Sequence, residues 1–173
     1  MPAEPSKLPY RPCVGIMLFN RDGMVWIGHR VPEPHKFDAE GEGHWWQMPQ
    51  GGLDKDEDPF EGARRELYEE TSVDAVSLIR EAPGWFKYDL PVELVGQSWG
   101  GRYRGQKQKW FALRYEGSDA EIDVAHPGGG KHKPEFSEWR WERLERLPAL
   151  IVPFKRGVYR DVVAAFRDIG PVA

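Results

Sequence analysis

One stretch of the chain, from Gly51 to Glu70, constrains both the fold and the chemistry more than any other. It opens on two consecutive glycines and closes on Glu66, Glu69 and Glu70, three carboxylates spaced i, i+3 and i+4. On a helix of about 3.6 residues per turn, those positions share one face. Like charges at that spacing repel by roughly 0.2–0.5 kcal/mol per pair on an exposed helix. A fold either tolerates this repulsion or uses the carboxylates to hold divalent cations.

The carboxylate face therefore has two interpretations, a solvated acidic surface or a site for hard cations. Oxygen-only ligands suit Mg²⁺, and its remaining ligands are commonly phosphate oxygens. The fixed spacing to Glu57 and to the glycine pair favours the cation site. We expect Glu57 to support the loop through Arg65, because an arginine–carboxylate pair can be bidentate. Gly51 and Gly52 let the backbone turn sharply and approach a ligand closely.

Length and composition fit one globular domain with a core of its own. The chain has 173 residues, 40% of them hydrophobic and 13% aromatic,. A formal net charge of -4 argues against broad, non-specific nucleic-acid binding but leaves room for a local basic groove,. Cys13 is the only cysteine, and the chain shows neither a signal pattern nor an apolar run of about 18 residues,. We therefore expect a soluble protein of the reducing cytoplasm.

Hydrophobic periodicity predicts an α/β fold with a mixed sheet between helices. Apolar runs at 14–19 and 24–28 flank a turn signal and predict a hairpin. Asp58 and Pro59 mark a helix start, as N-cap and first helical residue, and this helix is expected to continue to Thr71.

The remaining elements follow from shorter patterns. We expect strands at 45–48, 76–79, 85–88, 110–115 and 138–141, a C-terminal helix over the apolar stripe 154–169, and surface loops at 31–43 and 117–133. The Pro-rich residues 1–10 are expected to form a flexible arm, and residues 11–170 a single domain.

Residues 105–111 predict a strand in which lysines and glutamines alternate. Lys107 and Lys109 are expected on one face, and Gln106 and Gln108 on the other. A polar edge strand is the ordinary explanation, because lysine is common on edges. Beside a metal site, the lysines are instead interpreted as a rim that neutralises a polyphosphate chain.

The glycine–carboxylate stretch resembles the signature of the Nudix hydrolases. The matching pattern is Gly51, five residues, Glu57, seven residues, then Arg65-Glu66-Leu67-x-Glu69-Glu70-x-x-Val73. One position departs, because Ser72 stands where the family usually has Gly, which adopts a left-handed conformation cheaply. We expect Ser72 to cap the helix by another route, with altered helix-end geometry and unchanged chemistry.

The chain from about Tyr10 to Phe166 resembles one branch of that family, the bacterial RNA pyrophosphohydrolases and the related dinucleoside polyphosphate hydrolases. The resemblance implies an α/β/α sandwich. It is carried by residues 10–16, 46–52, 85–91, 105–111, 134–141 and 154–159.

The resemblance also implies roles for individual residues. Glu135, in Pro-Glu-Phe, resembles the family's general base, although it is otherwise an ordinary loop acid. Phe154 resembles the aromatic that stacks on an RNA base, although it also fits the core of the last helix. Glu66, Glu69 and Glu70, with Gly51, are implied as ligands of more than one Mg²⁺ or Mn²⁺ ion. The implied substrate contacts are Arg11, Arg30, Gln50, Gly51, Gly52, Tyr88, Gln106, Lys107, Lys109, Phe154 and Lys155.

The reaction predicted on this basis is hydrolysis within the 5′-triphosphate of RNA. It leaves a 5′-monophosphate, releases pyrophosphate or its equivalent, and promotes mRNA decay. One alternative is a dinucleoside polyphosphate hydrolase that acts on substrates such as diadenosine tetraphosphate. Another is a non-catalytic nucleotide- or RNA-binding module, against which the intact carboxylates argue. Neither a membrane nor an obligate protein partner is expected.

Overall fold

The computed structural model describes residues 4–31 and 45–172. The predicted loop 31–43, apart from Val31, lies outside the described residues, as do the first three residues of the predicted arm. Residues Pro5–Lys7 form a 3-10 turn, and the first strand begins at Tyr10.

The strands of the described residues form one mixed sheet. They are β1 (Tyr10–Phe19), β2 (Val25–Arg30), β3 (Trp46–Gln47), β4 (Gln50–Gly52), β5 (Val76–Glu81), β6 (Phe86–Asp89), β7 (Gly105–Tyr115) and β8 (Phe136–Glu142). The order is β3-β2-β1-β7-β5, with β4 on β1, β6 on β7 and β8 on β2. Strands β1 and β7 run parallel along their length, and the other pairs are antiparallel. The predicted hairpin and the predicted mixed sheet are both confirmed.

Helices cover the two faces of this sheet. They are α1 (Pro59–Thr71), α2 (Val92–Val95), α3 (Pro127–Gly130), α4 (Leu147–Leu150) and α5 (Arg156–Phe166). On one face, Val14 and Ile16 of β1 pack with Ala63 and Leu67 of α1. The opposite face packs against α4 and α5. This two-sided burial along one strand is the predicted α/β/α arrangement.

Strand β7 lies inside the sheet, between β1 on one side and β5 and β6 on the other. The explanation of its lysines as a polar edge strand is therefore wrong. The other predicted strands and the C-terminal helix are confirmed with shifted bounds, and Phe154 lies in a 3-10 turn just before α5.

Helix α1 has the predicted start and end. The Asp58 side chain accepts a hydrogen bond from the Glu61 backbone N–H at 3.1 Å, and Pro59 is the first helical residue. At the other end, Ser72 itself adopts the left-handed conformation, with φ 66 and ψ 10. The expectation of an altered helix end is therefore wrong.

Two hydrogen bonds made by the Ser72 hydroxyl explain why a serine is accommodated there. Its Oγ donates to the Asp123 carbonyl at 3.3 Å and accepts from the Gly128 N–H at 3.0 Å. The left-handed conformation costs a non-glycine residue roughly 1–2 kcal/mol. Each neutral hydrogen bond contributes about 0.5–1.5 kcal/mol, so the side chain offsets much of the strain.

In the part of the chain that the structure describes, every helix is too short or too polar to cross a bilayer.

Candidate active site

A cleft of about 380 Å³ opens between the carboxylate face of α1 and the side of the sheet that carries α4 and α5. Its walls bring together most of the residues predicted for the site. Those lining it are Arg11, Arg30, Gln50, Gly51, Gly52, Glu66, Glu70, Tyr88, Gln106, Glu135, Phe154 and Lys155.

Arg65 is the hub that fixes the glycine loop to α1. Its Nε and Nη2 donate to the two carboxylate oxygens of Glu57 at 2.7 and 2.9 Å, and Nη2 also donates to the Gly52 carbonyl at 2.9 Å. Its Nη1 donates to Glu66 at 2.9 Å and to Glu69 at 3.1 Å. The hydrogen bonds from Arg65 lower the pKa of Glu57,. The expected bidentate pair is confirmed, so Glu57 supports the loop rather than lining the cleft.

Of the three carboxylates predicted as metal ligands, Glu70 is buried and Glu66 is partly buried. Glu70 is 6% exposed, and the side chain of Glu66 is 14% exposed. Burial raises the pKa of Glu66 to about 7 and the pKa of Glu70 well above its ordinary value, with the charges of Glu66 and Glu135 adding to the effect on Glu70,. The interpretation as a solvated acidic surface is therefore wrong for this pair.

The donor chemistry at this end of the cleft fits a hard divalent cation. Glu70 Oε2 is buried and has no hydrogen-bond partner among the described residues, an arrangement that leaves a strong acceptor unused. A Cβ at Gly51 would overlap the Glu66 carboxyl group, so only glycine keeps that carboxylate against the loop. Within residues 4–31 and 45–172, no three acidic, His or Cys side chains are placed so that they could hold a metal ion together. Arg65 holds Glu66 and Glu69, so a bound ion would have to share them with it.

Two arginines bring positive charge to the same cleft. The Arg11 guanidinium lies 5.5 Å from the centre of the Trp99 ring, and its position over Gly52 leaves no room for a Cβ there. Arg30 Nη2 lies 3.9 Å from the Glu135 carboxylate, whose side chain is 48% exposed at the rim. The two predicted phosphate-contacting arginines thus face the buried carboxylates across the cleft.

The cleft also has an aromatic part. The rings of Tyr88 and Phe154 lie 5.8 Å apart, and Lys155 Nζ lies 5.6 Å from the centre of the Tyr88 ring. Phe154 is partly buried against the core and also lines the cleft. Behind it, Trp110 Nε1 donates to Gln108 at 2.9 Å, and Gln108 donates to Gln106 at 2.7 Å. This chain of hydrogen bonds orients the Gln106 amide that lines the cleft.

Lys107 and Lys109 do not reach the cleft. The pleat of β7 turns Gln106 toward it and therefore sends the lysines to the opposite face of the sheet,. Lys109 Nζ donates to the carbonyls of Ala82 and Gly84 at 2.8 and 3.1 Å. This geometry corrects the prediction that these two lysines form a rim around the polyphosphate.

Sequence reasoning missed one wall of the cleft. Residues Leu90, Leu94, Gln97, Ser98, Trp99, Ile151 and Val152 also line it. Trp99 takes a left-handed φ of 51, and Gly100 and Gly101 follow with positive φ as well. The Gly-Gly pair was a usable signal for a turn, but nothing in the local pattern indicated that this turn would stack a tryptophan on Arg11.

A family model described as the NUDIX domain matches residues 9–162. The chain belongs to the Nudix hydrolases. Nudix hydrolases generally use divalent metal ions. The prediction of a phosphoanhydride hydrolase rather than a non-catalytic binding module is confirmed.

Curated relatives confirm the predicted branch of the family. An RNA pyrophosphohydrolase of Brucella anthropi is 55% identical over 168 residues, which cover 97% of this chain and 95% of that protein. The RNA pyrophosphohydrolase of Bradyrhizobium sp. (strain ORS 278) is 58% identical over 162 residues, 94% of this chain and 95% of that protein.

Solved structures confirm the fold. The E. coli dihydroneopterin triphosphate pyrophosphohydrolase aligns with a TM-score of 0.61 at 17% identity, over 91% of this chain and 99% of that one. A C. elegans Ap4A hydrolase aligns with a TM-score of 0.59 at 15% identity, over 92% of this chain and 99% of that one.

Proposed function

We propose that this protein removes pyrophosphate from the 5′-triphosphate end of RNA, leaves a 5′-monophosphate and thereby promotes mRNA decay. The observation that carries the proposal is a cleft lined by two chemically different groups of side chains. Carboxylates and arginines form one group, and the Tyr88–Phe154 pair forms the other. A 5′-terminal nucleotide has the same division, with phosphates on one side and a base that stacks on the other. The relatives named RNA pyrophosphohydrolase support this choice.

Glu66, Glu69 and Glu70, with the carbonyl of Gly51, would hold the metal, which we propose to be Mg²⁺ or Mn²⁺ in more than one copy. Bound there, such ions supply charge stabilisation for phosphate oxygens and a lowered pKa for water. The unpartnered Oε2 of Glu70 supports its place among the ligands.

Arg11 and Arg30 offset the negative charge of the triphosphate. Arg11 is held between the Trp99 ring and Gly52, so its guanidinium is pre-oriented and little side-chain entropy is lost on binding,. Fixed donors of this kind stabilise charge that develops during phosphoryl transfer.

Glu135 accepts the proton of the attacking water. It precedes β8 on a connecting segment at the rim, half exposed, where it can pass that proton to solvent. Its contact with Arg30 keeps the carboxylate on the cleft side of the rim. Geometry of this kind suits a general base that closes on its substrate.

Tyr88, Phe154 and Lys155 would bind the nucleotide end, with Gln106 and Gln50 along the path between them and the metal. A dinucleoside polyphosphate has a stacking base at each end, so the same aromatic pair supports the second candidate, a diadenosine tetraphosphate hydrolase.

Side-by-side turnover of triphosphorylated RNA and diadenosine tetraphosphate in Mg²⁺ tests the proposal. We expect a higher kcat/KM on the RNA, with pyrophosphate or its equivalent released. A preference for diadenosine tetraphosphate, or no product from RNA, would overturn the proposal. Glu135→Gln should lower kcat on either substrate, whereas Glu138→Gln, an exposed acid three residues along the chain, should leave it unchanged.

The domain organisation, the compartment and the absence of partners remain predictions. We expect a flexible arm at residues 1–10, a single domain at residues 11–170, and action in the cytoplasm without a membrane or an obligate protein partner. The family model, which spans residues 9–162, and the single buried Cys13 support the domain assignment and the reducing compartment respectively,.

A further inference from the structure

The face of the sheet that turns away from the cleft carries a cluster of basic and aromatic side chains at one end. It comprises Tyr10 of β1, Trp85 just before β6, Lys87 of β6 and Lys107 of β7, and we name it the basic sheet face. The reaction proposed above uses none of these four residues.

Lys87 and Lys107 are direct cross-strand partners in the antiparallel β6–β7 pair. Like charges placed directly opposite each other destabilise a sheet. Neither lysine has a carboxylate within ion-pair distance in the described part of the chain, whereas neighbouring Arg104 and Lys109 are paired with Asp89 and Glu81. Two adjacent, uncompensated positive charges on a chain of net charge -4 form a local site for anions,.

Aromatic rings are interleaved with these lysines. Lys107 Nζ lies 5.3 Å from the centre of the Trp85 ring, and Lys87 Nζ lies 5.2 Å from the centre of the Tyr10 ring. Trp85 is 38% exposed, so part of the indole is open to a further stacking partner. Alternating cations and exposed rings are the means by which proteins hold single-stranded nucleic acid without reading its sequence.

The basic sheet face is continuous with the cleft around one edge of the sheet. Tyr88 lines the cleft and Lys87, the preceding residue on β6, points to the other face. On β1, Arg11 likewise lines the cleft, and Tyr10, the preceding residue, points to the other face. Among the described residues β6 pairs only with β7, so its other side is an open edge past which a chain can run.

We propose that the basic sheet face binds the RNA chain downstream of its 5′ end, after the chain has passed the open edge of β6. The inference rests on the proposed function, because it extends the same substrate beyond the cleft. Lys87 and Lys107 would contact backbone phosphates, and Trp85 would stack on a base. We favour RNA over an acidic protein because exposed aromatic rings and lysines alternate, and because the patch adjoins a cleft suited to a nucleotide end.

Direct binding tests the surface without any chemistry. A fluorescent single-stranded RNA of about 12 nucleotides with a 5′-hydroxyl end, long enough to exceed the cleft, is titrated into the full chain over a salt series. Lys87→Ala/Lys107→Ala removes two phosphate contacts, so the slope of log affinity against log salt should fall by about 1.4. Trp85→Ala should weaken binding about tenfold, as expected for the loss of one stacked base.

A matched control removes the same charge elsewhere. Arg21→Ala/Arg143→Ala deletes two exposed cations beyond the opposite end of β1, and should keep the wild-type slope. If the Lys87/Lys107 variant and this control have the same slope and affinity, the surface does not bind RNA and the inference is overturned.

Turnover separates this inference from the proposed function. The Lys87/Lys107 variant should lose kcat/KM on a long triphosphorylated RNA, about tenfold, and retain it on a triphosphorylated dinucleotide that ends within the cleft. An equal loss on both substrates would overturn the inference. Wild-type protein that binds the 5′-hydroxyl RNA through these lysines, yet releases nothing from triphosphorylated RNA, would support the surface and overturn the proposed function.

Discussion

Two glutamates that meet at helix α1 have contrasting environments. Glu57 lies in the loop before the helix, where it receives two charge-assisted hydrogen bonds from Arg65, and its pKa is lowered. Glu70, near the end of the helix, is buried, has one oxygen without a partner among the described residues, and lies near the charges of Glu66 and Glu135. The first arrangement stabilises the fold. The second costs free energy in the isolated protein.

The contrast shows how residues of one type are divided between structure and chemistry. A buried carboxylate with every oxygen satisfied can be explained by the fold alone. A buried carboxylate with an unused oxygen needs a further partner, and we propose that a divalent cation is that partner for Glu70,.

The largest effect is expected for Glu70→Gln. Loss of a metal ligand should lower kcat by about 10²-fold or more, because metal coordination supplies several kcal/mol of transition-state stabilisation. The same change removes a buried carboxyl group whose ionised form is costly to bury, so metal-free Glu70→Gln should be more stable than wild type by about 0.5–2 kcal/mol and should unfold at a higher temperature,. Initial rates and thermal unfolding check both effects. Glu61→Gln, an exposed acid on the same helix, should change neither.

The converse change, at the hub, is Arg65→Ala. It leaves Glu57 and the Gly52 carbonyl without their donor, so the free energy of unfolding should fall by about 2–3 kcal/mol, and activity should fall with it. Denaturant unfolding measures the loss. Arg64→Ala, which removes the adjacent arginine whose side chain is half exposed, serves as the control. Equal stabilities of the two variants would contradict the structural role assigned to the hub.

The two environments also predict opposite dependences of stability on pH. Burial raises the pKa of Glu66 to about 7 from 4.5, so folded protein binds the extra proton between those values and loses stability as pH rises through 7,. The pKa of Glu57 is lowered from 4.5, so its contribution is present above that pH and is lost as pH falls below it,.

Metal-free unfolding of wild type and Glu66→Gln from about pH 5, just above the ordinary pKa of 4.5, to about pH 8, one unit above the raised pKa of about 7, checks the sign,. The free energy of unfolding of the variant, relative to that of the wild type, should increase as pH rises, by at most about 1.4 kcal/mol per pH unit. If the stability of the two proteins changed with pH in parallel, the pKa of Glu66 would not be raised in the folded protein.

Features that depend on residues close together in the sequence could be predicted, whereas features that depend on contacts between distant parts of the chain could not. The start of α1 rests on Asp58 and Pro59, and its active face on i, i+3, i+4 spacing, so both are local and both were predicted. The side of the sheet on which Lys107 lies depends on how β7 pairs with β1, which is a long-range contact. The stacking of Trp99 on Arg11 likewise joins distant parts of the chain.

Ser72 shows a second limit of local rules. A rule for helix ends prefers glycine in a left-handed position, but the hydrogen bonds to Asp123 and Gly128 that favour serine come from a segment about fifty residues away,. The rule for helix ends therefore predicts the left-handed backbone at residue 72 correctly, but it does not predict that a serine side chain is stabilised there.

The smallest expected effect concerns this same residue, at the end of α1 farthest from the hub. Ser72→Gly relieves the left-handed strain and loses both hydroxyl hydrogen bonds, so stability should change by no more than about 1 kcal/mol. Ser72→Ala keeps the strain and loses the bonds, and should destabilise by about 1–2 kcal/mol. If the alanine variant were as stable as the glycine variant, the hydroxyl contacts would not be what accommodates serine.

Titration of the protein with Mn²⁺ alone, followed by electron paramagnetic resonance, shows whether the Glu70 carboxylate, with its unpartnered oxygen, is a cation ligand. Glu70→Gln should bind Mn²⁺ much more weakly than wild type, while Glu61→Gln should bind it equally well. If Glu70→Gln bound Mn²⁺ with wild-type affinity and stoichiometry, Glu70 would not be a ligand.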